Sequence, residues 1–233
     1  MANNISVIYL VGDIIPLTIW IMLFYFQNSF RKYILFFSVI ATPLALTGLL
    51  FTRDYWRPSF IFGNIIGPED FIFAFAIGGI SVALIKLVWQ RINLPEKFQI
   101  DYWWIVAFYV IVATVMIGGN ILLGFNSMDA AIVGMLLVGM SMIVFRPKLL
   151  FPSLINGIVL FILALISYQV FLLFYPQTVV TWWMISNLTG VFIWGIPIEE
   201  ILFYFAWGFL VLPLSSLIFH LQYKQVNSPQ RKT

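Results

Sequence analysis

Apolar runs of roughly 20 residues recur along the chain, separated by short segments that contain charged residues, Pro or Gly. A helix of that length crosses a hydrocarbon core about 30 Å thick, so each run predicts a transmembrane helix. The predicted helices lie near residues 8–26, 33–51, 69–89, 102–123, 127–145, 153–175 and 196–220. The expected fold class is an all-α integral membrane protein of about seven transmembrane helices.

The composition supports this prediction. Of the 233 residues, 62% are hydrophobic and only 9% are charged, and the mean hydropathy is +1.02. These values exclude an ordinary soluble globular domain. No basic segment and small-residue cleavage site surround the first apolar run, so we expect it to be a retained helix. We predict a multi-pass protein of the cell membrane, the cytoplasmic membrane of a prokaryote, with membrane lipid around it.

The basic residues predict the orientation. If the N-terminus is outside, ten of the twelve Lys and Arg residues lie on the inner side. These ten are Arg31, Lys32, Lys86, Arg91, Lys97, Arg146, Lys148, Lys224, Arg231 and Lys232, which leaves Arg53 and Arg57 outside. The positive-inside rule therefore predicts an N-out, C-in chain. Because the basic residues form no continuous patch, nucleic acid is not expected as a partner.

The acidic residues gather at the opposite, outer side. On the predicted topology this group contains Asp13, Asp54, Glu69, Asp70, Asp129, Glu199 and Glu200. Ionisable groups at membrane depth often serve function, although helix starts next to water also favour acids through capping. We favour capping for Asp54 and Asp129, and function for the two adjacent pairs. The chain has no Cys and a single His, so neither thiolate catalysis nor a metal site is expected.

The two acid pairs belong to an internal repeat. The segment 68–73 (PEDFIF) aligns without gaps on 198–203 (IEEILF), 130 residues later. We predict two parallel three-helix repeats, at 1–95 and 126–222, joined by a linking helix at 96–125 and followed by a polar tail at 223–233. Repeat-built membrane proteins commonly place their site between the halves.

Paired acids at a helix start suit acid chemistry. Adjacent residues on a helix point about 100° apart, so one acid can face the interior while its neighbour reaches the interface. Burial in hydrocarbon favours the protonated carboxyl, and a general acid needs that form. Aromatic faces, which stabilise cations, lie within about two helical turns of the pairs.

These residues carry a resemblance to a known family. The segment 195–203 (GIPIEEILF) resembles the Pro-x-Glu-Glu-x-x-Phe signature of the lycopene cyclase domain of bacteria, archaea and fungi, and Trp56 to Phe73 is similar to the other copy of that signature. Length, duplicated motif and linking helix resemble the fused, single-chain form of the family over nearly the whole chain.

The resemblance implies cyclisation of the linear ψ-ends of lycopene or a related acyclic carotenoid without a cofactor. A carboxylic acid would protonate the terminal alkene, the next alkene would attack the tertiary cation, and a base would remove a proton. The resemblance assigns catalysis to Glu69, Asp70, Glu199 and Glu200. We add Phe73, Phe203, Trp207 and Asp13 as candidates for substrate binding, with interfacial capping as the alternative for Asp13.

Some features leave other readings open. The first copy has Gly-Pro-Glu-Asp and so lacks the spacer residue, and Arg53 or Arg57 would weaken an acid role if either paired with these carboxylates. A carotenoid or isoprenoid binder, a related isoprenoid enzyme and a proton-coupled transporter remain alternatives. A retinal protein is disfavoured because 196–220 contains no Lys. A homodimer is compatible with the sequence.

Overall fold

A computed structural model describes residues 7–63, 65–89 and 92–223. Residues 224–233 of the predicted polar tail and the basic residue Arg91 lie outside the described residues, as therefore do Lys224, Arg231 and Lys232. The described chain is mostly helical. Its helices are α1 (Ile8–Phe26), α2 (Arg31–Ala41), α3 (Gly48–Asp54), α4 (Pro68–Val88), α5 (Tyr102–Met116), α6 (Ser127–Phe145), α7 (Leu150–Phe174), α8 (Thr178–Trp182) and α9 (Ile198–Ile218).

Seven helical stretches in the described part of the chain are long and apolar enough to cross a membrane. This number confirms the sequence prediction and is consistent with a membrane protein. The membrane orientation and the repeat architecture stay predictions.

Three of the seven stretches contain 3₁₀ or π-helical turns. A 3₁₀ segment, Thr42–Thr47, joins α2 to α3, and it begins where Pro43 lacks the N–H needed to continue an α-helix. A π-helical segment, Ile117–Leu122, extends α5. Pro213 and the Gly78-Gly79 pair lie inside the continuous helices α9 and α4.

The described residues also form two short antiparallel strand pairs. Strands β1 (Ile92–Asn93) and β4 (Gln222–Tyr223) pair antiparallel at one end of the helices. Strands β2 (Phe192–Ile193) and β3 (Ile196–Pro197) form a second antiparallel pair directly before α9. This second pair sets the point at which the chain enters α9.

The helices α4 and α9 form the centre of the bundle. In one half α4 packs against α1 and α2, in the other α9 packs against α6 and α7, and α4 also contacts α7 and α9. The Phe73 and Tyr204 rings, near the two helix starts, lie 6.3 Å apart. Farther along, the Asn156 amide donates to Gly208 O at 2.8 Å and to Ser81 O at 3.5 Å. The helices α4 and α9 therefore run in the same direction, and both acid pairs lie at the same end of the bundle.

Candidate active site

The first acid of each pair holds the loop that precedes its helix. Glu69 is fully buried, and its Oε1 accepts a hydrogen bond of 2.7 Å from the Ile61 backbone N–H. Glu199 is 4% exposed, and its Oε1 accepts one of 2.6 Å from the Thr189 backbone N–H. Within the described residues, Oε2 of both side chains has no hydrogen-bond partner. These two carboxyls thus have matching contacts in the two halves.

The second acid of the first pair caps its helix and binds a tyrosine. Gly67 precedes Pro68 at the start of α4, and the Gly67 N–H donates to Asp70 Oδ2 at 3.0 Å. This contact satisfies an N–H that a helix start otherwise leaves unpaired. The Tyr9 hydroxyl of α1 donates to Asp70 Oδ1 at 2.8 Å.

The second acid of the second pair receives three donors. The Tyr168 hydroxyl of α7 donates to Glu200 Oε1 at 2.5 Å. The Tyr55 hydroxyl and Trp183 Nε1 donate to Oε2 at 2.7 Å and 3.3 Å. Burial and the nearby charge of Glu200 raise the pKa of Tyr55 well above its usual value, so the hydroxyl keeps the proton that it donates. All three neighbours donate to the Glu200 carboxyl, and an ionised carboxylate, which only accepts hydrogen bonds, suits such surroundings.

Two apolar cavities adjoin these second acids. The first has a volume of about 150 Å³ and is lined by Asp70 and Trp207. The second has a volume of about 140 Å³ and is lined by Glu200 and Asp13. Residues that line both cavities are Tyr9, Phe51, Trp56, Phe73, Ile77 and Phe203. The two cavities therefore share an aromatic wall, and neither Glu69 nor Glu199 is among their lining residues.

The four predicted catalytic acids thus differ in their position relative to the cavities. Asp70 and Glu200 line the cavities, whereas Glu69 and Glu199 hold loops. The substrate-binding candidates Phe73, Phe203, Trp207 and Asp13 all lie on a cavity wall.

Three site residues were missed by the sequence analysis, namely Tyr9, Tyr55 and Tyr168. A tyrosine hydroxyl buried in an apolar surrounding usually requires a polar partner. Tyr9 and Tyr168 lie inside apolar runs, so their hydroxyls could have indicated from the sequence that each has a polar partner in the bundle. Which carboxyl each hydroxyl meets depends on packing between segments up to 145 residues apart.

Asp54 has a capping role, as favoured from the sequence. Its Oδ2 accepts hydrogen bonds from the Ser127 N–H at 2.9 Å and from the Asn120 amide at 2.6 Å, and the Ser127 hydroxyl donates to Oδ1. Asp54 therefore ties the end of α3 to the start of α6. The Arg57 guanidinium donates to the backbone oxygens of Thr52 and Arg53. Among the described residues, no group of three or more His, Asp or Glu side chains is placed to hold a metal ion.

The comparison with family models concerns the second half of the chain. Residues 125–218 match the family model described as Lycopene cyclase. The second half of the chain is therefore similar to the lycopene cyclase family. The matched range includes α6, α7 and α9, and with them Tyr168, Glu199 and Glu200. At the level of the family, the match supports a role in carotenoid biosynthesis as a carotenoid cyclase.

The candidate site also uses residues that lie before the matched range. Tyr9, Asp13, Tyr55 and Asp70 all come from the first half of the chain, yet they line a cavity or bind a cavity carboxyl. The comparisons with curated proteins and with solved structures gave no match.

Proposed function

We propose that this protein cyclises the linear ψ-ends of lycopene or a related acyclic carotenoid by proton-initiated, non-redox chemistry inside the membrane. The observation that carries the proposal is the pair of apolar, aromatic-walled cavities, each with a buried carboxyl from the start of a central helix. An apolar end group fits such walls, and the carboxyls supply the polar groups that the reaction needs.

The chemistry requires one proton to be given and one to be taken. A carboxyl adds a proton to the terminal alkene, which leaves a tertiary cation. The next alkene attacks this cation, closes the ring and moves the positive charge onto a ring carbon. A carboxylate then removes a proton from a neighbouring carbon. No electron is gained or lost, so the product has the mass of the substrate.

The surroundings of the cavities suit the cationic intermediates. Phe73 and Phe203 line both cavities, and Trp56 lies between the same two spaces. An aromatic face attracts a cation within about 6 Å of its centre, and the attraction strengthens when water is excluded. The same walls would bind a carotenoid without chemistry, so a binding protein is the alternative that the experiment must separate.

The test is production of the protein in a bacterium that accumulates lycopene, with pigments analysed by chromatography and mass spectrometry. We expect new ring-bearing products of unchanged mass, and we expect Asp70→Asn or Glu200→Gln to lower the yield of the ring product that wild type forms. The matched control is Glu96→Gln, because Glu96 is an exposed acid in the loop between α4 and α5. Lycopene that stays linear, despite folded protein in the membrane, would refute lycopene cyclisation and favour a binding role.

A further inference from the structure

Asp13 is a buried carboxyl in α1, and its surroundings indicate which carboxyl gives the proton and which one takes it. It is 3% exposed, and it lines the second cavity together with Glu200. Within the described residues, Asp13 Oδ2 has no hydrogen-bond partner. Asp13 thus differs from an interfacial cap, which would accept a backbone N–H.

The contrast with the other cavity carboxyls is chemical. Asp70 accepts bonds from a tyrosine and a backbone N–H, and Glu200 accepts three from Tyr55, Tyr168 and Trp183. An ionised carboxylate in an apolar surrounding is very costly unless donors or charges compensate it, whereas a neutral acid costs far less. The donors therefore favour ionised Asp70 and Glu200, and the lack of a donor at Oδ2 favours neutral Asp13.

Neighbouring charge acts in the same direction. Asp70 binds Tyr9, which lines the second cavity together with Asp13, and a like charge nearby disfavours an ionised Asp13. Because Asp70 has donors that stabilise its charge, the proton shared within this group is best placed on Asp13.

We propose that Asp13 is the general acid that starts the reaction and that Glu200 is the base that ends it, both acting in the second cavity. This inference rests on the cyclase function proposed above. Asp13 gives its proton to the terminal alkene carbon and becomes a carboxylate. After ring closure, Glu200 takes a proton from a carbon beside the cation and becomes neutral. One proton moved from Glu200 back to Asp13 restores the starting state.

The proposal also makes the two cavities unequal. Asp70 is the only carboxyl among the lining residues of the first cavity, and donors hold both of its oxygens. The second cavity contains both a carboxyl suited to give a proton and one suited to take it. Ring closure therefore takes place in the second cavity.

The experiment compares wild type with Asp13→Asn and Asp13→Glu in the lycopene-accumulating bacterium. Asparagine keeps the shape of the side chain but cannot act as the acid. Since general acid catalysis contributes about 10²–10⁴-fold, we expect Asp13→Asn to lower lycopene consumption at least about 100-fold. The amount of protein and the lycopene that copurifies with it should stay at the wild-type level, and Asp13→Glu should recover part of the activity. The control is Asp129→Asn, an exposed acid in the first turn of α6.

A second variant separates acid from base. Glu200→Gln should still consume lycopene, but its products should shift to other ring isomers or to hydroxylated products formed when water captures the cation. In isolated membranes in D₂O, every ring formed should carry one deuterium from the initiating acid.

Three results are decisive. If Asp13→Asn consumes lycopene at more than about a tenth of the wild-type rate, the inference about Asp13 is wrong. The cyclase proposal still stands in that case, provided that wild type forms rings. If the Asp13→Asn protein does not accumulate in the membrane, the Glu200→Gln variant tests the inference instead. Complete loss of lycopene consumption in Glu200→Gln would make Glu200 the initiating acid. If wild type itself forms no rings, the cyclase proposal fails and the inference fails with it.

Discussion

At the scale of single residues, tyrosine hydroxyls set the environment of the cavity acids. Tyr9 reaches Asp70 from α1, and Tyr168 reaches Glu200 from α7. A buried hydrogen bond to a charged group contributes about 1.5–3 kcal/mol, and removing one donor leaves the carboxylate less stable. The hydroxyls therefore help to decide which carboxyls are ionised when substrate enters.

Replacing Tyr168 by Phe removes the donor to Glu200 Oε1 and keeps the ring in the cavity wall. We expect Tyr168→Phe to lower the yield of ring products about 10-fold, because a loss of roughly 1.4 kcal/mol at the carboxylate corresponds to that factor. Pigment analysis at equal protein amount measures the effect. Tyr102→Phe is the control, since Tyr102 is 65% exposed. Equal loss in both variants would show a general effect of tyrosine replacement.

At the scale of the helices, small residues let the central helices approach their neighbours. A Cβ added to Gly208 of α9 would lie 2.9 Å from Asn156 O and 3.0 Å from Gly157 Cα, both backbone atoms of α7. Backbone cannot move aside as a flexible side chain can. The contact fixes the distance between α7 and α9, and hence the position of Tyr168 relative to Glu200.

Gly208→Ala is therefore expected to lower the free energy of unfolding by about 1–3 kcal/mol, the usual cost of overpacking. The measurement is the temperature at which half of the detergent-solubilised protein aggregates. The matched control is Gly118→Ala, because no neighbour lies within 4 Å of a Cβ added there. A Gly208→Ala variant as stable as the control would contradict close packing of α7 on α9.

At the scale of the whole molecule, the candidate site is assembled at one end of two helices that run side by side. Loops from both halves meet over this end, where Trp56 and Trp183 form an isolated backbone pairing and their rings lie 5.6 Å apart. On the predicted topology this end faces outside, so the acid pairs lie near the outer face of the membrane.

The predicted orientation is testable because the chain has no Cys, so single cysteines serve as reporters. Ser186 and Glu96 are exposed in loops at opposite ends of the bundle. With a membrane-impermeant maleimide on intact cells, Ser186→Cys should be labelled. Glu96→Cys should react only after the membrane is opened. The reverse pattern would invert the topology and place the acid pairs at the inner face.

Much of the fold follows from the sequence, because a hydrocarbon solvent demands long apolar helices with internally paired backbones. The first predicted helix, 8–26, coincides with α1, and 127–145 coincides with α6. The short helix α8 and the two short strand pairs were not predicted. Segments this short contain no hydrophobic period from which a prediction could be made.

For the candidate site, the sequence predicted the acid pairs and several aromatic residues, and the tertiary structure decided how they are combined. The motif marked Glu69, Asp70, Glu199 and Glu200, but the order of residues in a motif does not say which carboxyl lines a cavity. That choice depends on the rotation of α4 and α9 against their neighbours. Asp13 was left undecided from the sequence because a carboxyl near a helix start fits both a cap and a site. Its lack of a donor at Oδ2 became visible only when α1 was packed against the bundle, since burial and hydrogen bonding between distant segments are properties of the folded chain alone.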